Sequence, residues 1–120
     1  MKWIAILFLI PAIGAARPAF AQCEQAGTTV ATTDCFDREY KKADAELNRI
    51  YKLAFTGLDA KAADNLRKAQ RAWIIYRDAQ CDAEYAKWGG GSGGPAAHLA
   101  CLLRLTQLRT RELHKTYPFR

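Results

Sequence analysis

The segment "AQRAWIIYRDAQC", residues 69 to 81, gathers a tryptophan, a tyrosine, two arginines, an aspartate and a cysteine into thirteen positions. Residue types that mixed could serve ligand binding, acid–base chemistry or thiol chemistry. The four cysteines, Cys23, Cys35, Cys81 and Cys101, show no C-x-x-C spacing, and His98 and His114 stand far apart, so no metal site is expected. With all four cysteines expected in disulfides, neither histidine gains a thiol nucleophile, and a hydrolase triad is unsupported. The run "WGGGSGGP", residues 88 to 95, has the glycines of a phosphate cradle, but Ala-Ala-His follows it where Lys-Ser/Thr is needed. No cofactor is implied, and the choice narrows to binding or packing.

Asp44, Asn48, Gln70, Arg77, Thr106 and Arg109 fall on or beside apolar stripes. Buried polar groups need partners, so we expect a structural network of hydrogen bonds clamping the helices. In it Arg77 and Arg109 would pair with Asp44 or Asp78, and losing a partner would cost about 3–5 kcal/mol in a fully buried site. Tyr40, Tyr51, Trp73 and Tyr76 could stack a sugar ring, but their helical spacing assigns them to the core. Tyr85 and Trp88 abut the glycine run and are expected at its exposed rim. Together with Ser92 at the apex and His98 just beyond, they are the candidate binding residues. The plainer account of the run is a flexible connector, and the cost of ordering it argues against high affinity.

These side chains need elements to hold them. Phe36, Tyr40, Ala43, Leu47, Ile50 and Ala54 recur at spacings of four and three, an amphipathic helix capped by Asp34 and ended by Gly57. Residues 22 to 33 before it are small and polar and read as an extended or irregular arm. Asp59 caps a second helix, whose stripe runs Ala62, Leu66, Ala69, Trp73, Tyr76 and on to Cys81. Pro95 suits the first turn of a third helix, faced by Leu99, Leu102, Leu103, Thr106 and Leu113 and stopped by Pro118. No sustained period of two is present. The expected fold is all-α, with three antiparallel helices, an N-terminal arm and two disulfides, and residues 69 to 81 on the central helix.

The front of the chain has the marks of a secretory signal peptide, residues 1 to 21. Lys2 precedes an apolar run from Trp3 to Ile13, and Ala19-Phe20-Ala21 is a small-x-small cleavage site. The run is too short for a lasting anchor, and Gln22 before Cys23 does not suit lipid attachment, so no membrane anchor is expected after cleavage. The expected mature chain, residues 22 to 120, is a single periplasmic or secreted domain. Lys2 and Arg17 leave with the signal, so 18 basic residues become 16 against 12 acidic ones and the formal charge falls from +6 to +4. Export makes nucleic acid a poor partner, whereas a basic surface suits an anionic cell-wall or membrane polymer.

Export also makes disulfides the default for the four cysteines. Folding the second helix on the third about residues 91 to 92 sets Cys81 level with Leu102, beside Cys101. The same check sets Cys35 near Asp82, so Cys35–Cys81 with Cys23–Cys101 stays open as the alternative.

Three fragments in order, "ADAELNRIY" (43 to 51), "AQRAWIIYRDAQC" (69 to 81) and "CLLRLTQLRTREL" (101 to 113), resemble the N-terminal domain named after the lysozyme inhibitor LprI. The resemblance covers nearly the whole expected mature chain. It implies a compact helical, disulfide-bonded exported domain, with Cys23–Cys35 and Cys81–Cys101 as its pairing. It implies no enzymatic site. The expected function is a non-enzymatic binding module, a lysozyme inhibitor that occludes a cleft with residues 85 to 95. The alternative is an envelope-associated protein whose basic helices contact anionic polymers. Many lysozymes are basic, so a positive net charge would weaken long-range attraction to them.

Overall fold

The computed structural model describes residues 18–119, so most of the expected signal segment lies outside the described residues. Within them the chain is all-helical, with four helices: α1 (Ala19–Glu24), α2 (Thr29–Ala54), α3 (Ala60–Ala86) and α4 (Gly94–Thr116). The starts of α3 and α4 follow the expected pattern. Asp59 caps α3, its carboxylate accepting from the Ala62 N–H at 2.8 Å. Pro95 occupies the first turn of α4.

The expected N-terminal arm is corrected. Residues 22 to 33 hold the end of α1, a turn, and the first turn of α2, which is capped by Thr28 rather than Asp34. The Thr28 hydroxyl accepts from the Ala31 N–H at 3.1 Å, and Gly27, at φ 92°, turns the chain into that cap. Threonine is a weak helix former, but here tertiary contacts outweigh propensity. A Cys23–Cys35 disulfide ties α1 to α2, and the Phe20 ring meets Phe36 edge-on with centroids 5.1 Å apart.

Consecutive long helices run antiparallel. Phe36, early in α2, packs with Ala96, Ala100 and Leu103, early in α4, whereas Ala54 and Ile50 meet Leu66 and Leu113. The α2 and α4 helices are therefore parallel to each other, and they form the most extensive pair. The central helix is α4, not α3 as its sequence led us to expect. It buries Ala96, Ala100, Leu103 and Leu113 toward α2 and Cys101 and Leu105 toward α3, because small and apolar residues occupy two of its faces. Only Leu66, Gln70 and Cys81 are buried on α3. Its inner stripe takes Arg77 in place of Tyr76, which is 55% exposed and not in the core. Cys81 and Cys101 close the α3–α4 contact with a second disulfide, both cysteines fully buried.

Candidate functional site

The six polar residues do not form one network. Gln70 and Arg109 clamp α3 to α4: the Arg109 Nε donates to the Gln70 side-chain oxygen at 3.0 Å, and its guanidinium also reaches Glu112 at 2.6 Å. Arg77 bridges α3 to α2. Its guanidinium lies 2.9 Å from Asp78 and 4.0 Å from Asp44, and it stacks over Trp73 at 5.2 Å and Tyr40 at 6.0 Å. Asn48 is exposed and donates only to Asp44 on its own helix, at 3.4 Å, so it joins no second helix. The Thr106 hydroxyl is fully buried and has no hydrogen-bond partner among the described residues.

Asp44 and Asp78 keep 42% and 54% of their side chains in water, so the fully buried ion pair considered from sequence is corrected to a screened one. Such pairs contribute at most about 1 kcal/mol, and the aromatic stack on Arg77 matters as much. Burial raises the Tyr40 phenol above its ordinary pKa, with Arg77 opposing the shift and Asp44 and Asp78 adding to it. The phenol therefore stays neutral beneath the guanidinium. A further clamp was not foreseen. Arg104 on α4 donates to Glu84 on α3 at 2.7 Å, and Gln80 donates to the same oxygen at 3.1 Å. The Gln80 bond, followed by that of Arg104, holds the Glu84 carboxyl below its ordinary pKa against partial desolvation. Nothing in the local sequence singled out this pair, since its partners are 20 residues apart.

The glycine run is shaped by the two rings beside it. Trp88 is 51% exposed and Tyr85 45%. A Cβ placed on Gly93 would lie 2.3 Å from the Trp88 ring, and one on Gly94 would lie 3.0 Å from the Tyr85 ring. Both rings thus seat on glycine backbone that no other residue would leave open. Successive short-range bonds fold the run into turns: Gly91 donates to the Trp88 carbonyl at 2.8 Å and Gly94 to that of Gly91 at 3.1 Å. Gly90, at φ 85°, permits the reversal. Ser92 lies exposed at the tip. His98 is half-buried beneath it, its Nδ1 3.3 Å from the Cys81 carbonyl and its ring edge-on to Tyr85 at 6.0 Å. Its contacts are thus with the end of α3, where Asp82 also lies 3.8 Å away.

Beside the tip opens a groove of about 610 Å³ between α1, the start of α2 and the start of α4. Phe20, Phe36, Ala96 and Ala100 form its apolar wall, Thr28, Thr29, Thr32 and Glu24 its polar one, and Trp88 stands on the rim. The sequence placed Phe36 on a stripe but read the threonines as an irregular arm, which concealed the groove. Aromatic rings, hydroxyls and one carboxylate suit recognition of a partner. No general acid and base face each other there.

No solved structure matches the chain. An uncharacterized protein of Rhizobium meliloti (strain 1021) is 35% identical over 123 aligned residues, covering 92% of this chain and 88% of its own length. The uncharacterized protein YecT of Escherichia coli (strain K12) is 31% identical over 94 residues, 66% of this chain and 58% of its own length. The model of the family described as Lysozyme inhibitor LprI matches residues 21–113, which takes in α2, α3 and nearly all of α4, and the chain belongs to that family.

Proposed function

We propose that the protein is an exported, non-enzymatic binding module that inhibits a lysozyme-type enzyme by inserting the 85–95 tip into its cleft. The observation that carries this reading is the exposed Trp88 ring seated on Gly93 at the end of the bundle. An aromatic anchor held by packing loses little entropy on binding, which answers the cost expected of a loose glycine run. The tip carries one charge, that of Lys87, so net basicity acts on long-range approach and hardly on the contact. Two disulfides and family membership support an extracytoplasmic location, and no described helix is long and apolar enough to cross a membrane. The expected cleavage before Gln22 falls within α1. It would remove Phe20 and widen the groove beside Trp88.

Purified oxidised protein should keep a cell-wall suspension turbid in the presence of lysozyme. Trp88→Ala should abolish that protection and leave the far-ultraviolet circular dichroism unchanged. Absence of inhibition across several lysozyme types, at large molar excess, would refute the proposal. The second reading, contact with an anionic envelope polymer, is favoured by the exposed Arg67, Lys68 and Arg71 on α3. It requires retention on isolated walls that fades as salt rises.

A further inference from the structure

Because α4 covers one side of α3, the opposite side is left in water. There Ile74, Ile75 and Tyr76 are 39%, 71% and 55% exposed, three large apolar side chains in succession. Spacings of three, four and seven place Lys68, Arg71, Ala72, Asp78, Ala79 and Asp82 on the stripe centred on Ile75, and all of them are exposed. The stripe reads basic, apolar, acidic along its length. Lys68 and Arg71 make no hydrogen bond or ion pair among the described residues, and the Asp82 side chain is 76% exposed, its carboxylate 3.8 Å from the His98 ring.

We propose that α3 is a self-association surface on which two copies of the chain pair antiparallel about a two-fold axis at Ile75. Lys68 lies seven residues before Ile75 and Asp82 seven after it. An antiparallel pair therefore sets Lys68 opposite Asp82 of the partner subunit, and Ile75 opposite Ile75 of the partner subunit. Arg71 comes near Asp78 of the partner subunit by the same symmetry, the Asp78 carboxylate being shared with Arg77 at 2.9 Å on its own helix. A parallel pair would instead stack like charges at both ends, so the charge order selects the direction. Ala72 and Ala79 flank the axis and let the two backbones approach closely. Ile75 lies thirteen residues from Trp88, about 20 Å along the helix, so the axis stands well away from each tip. The proposal goes beyond lysozyme inhibition and does not depend on it.

Sedimentation equilibrium of the purified oxidised protein tests the proposal. A monomer–dimer equilibrium that weakens with salt is expected. Ile75→Glu should give a monomer with unchanged circular dichroism. Lys68→Glu should weaken the dimer about tenfold, since two symmetric pairs turn repulsive, and adding Asp82→Lys should restore it. A monomer up to millimolar concentration overturns the proposal, as does a dimer indifferent to Ile75→Glu. A double charge exchange that fails to restore the dimer overturns the antiparallel register. Loss of lysozyme inhibition by Ile75→Glu in a protein that is always monomeric would assign the face to another partner and overturn self-association.

Discussion

Thr106 and Gln70 are both buried polar residues on facing helices, yet their fates differ. Gln70 finds the Arg109 guanidinium, whereas the Thr106 hydroxyl finds nothing among the described residues. An unpaired buried hydroxyl is a desolvation cost without return. Replacing it with a methyl of similar shape removes that cost, so Thr106→Val should stabilise the protein by about 0.5–1.5 kcal/mol, read as a higher urea midpoint with unchanged slope. The sequence marked both residues as inward-facing because helical period alone sets direction. It could not assign partners, which depend on the axial level and rotation of a second helix. Tyr76 shows the same limit. It sits three residues from Trp73 on one plausible stripe, but α3 turns Arg77 inward instead, and Tyr76 meets water.

Among the elements, the tip is the one shaped by rings seated on glycine and a few turn bonds. The Trp88 ring occupies the space where a Gly93 side chain would be. Gly93→Ala should therefore displace the ring while α3 and α4, held by Gln70–Arg109 and Glu84–Arg104, keep their packing. The expected signature is a change in tryptophan emission that is absent when the substitution is made on a Trp88→Phe background. Inhibition of lysozyme should fall with it if the tip is the contact. Capping residues made the starts of α3 and α4 legible, since Asp59 and Pro95 act within one turn of themselves. The start of α2 was not, because Thr28 and Asp34 are both good caps, and the segment before Asp34 is tied back by the Cys23–Cys35 disulfide, a contact outside the reach of local signals.

At the scale of the whole molecule, α3 depends on its disulfide. It buries only Leu66, Gln70 and Cys81, so little apolar area holds it to α4. Cys81–Cys101 closes a 20-residue separation, and the double Cys81→Ser/Cys101→Ser variant should lose about 3 kcal/mol, measured by urea denaturation against the oxidised parent. The all-helical class, the starts of α3 and α4 and the short links were determined by the sequence itself, because period, caps and glycine–proline breaks act over a few residues. The identity of the central helix was decided only in three dimensions. Residues 69 to 81 are chemically the richest stretch, but the amount each helix buries depends on how many of its faces have neighbours. There α4, with small and apolar residues on two sides, displaced α3 to the flank. The groove arose in the same way, from α1, α2 and α4 meeting at one end, and no single segment of the sequence contains it.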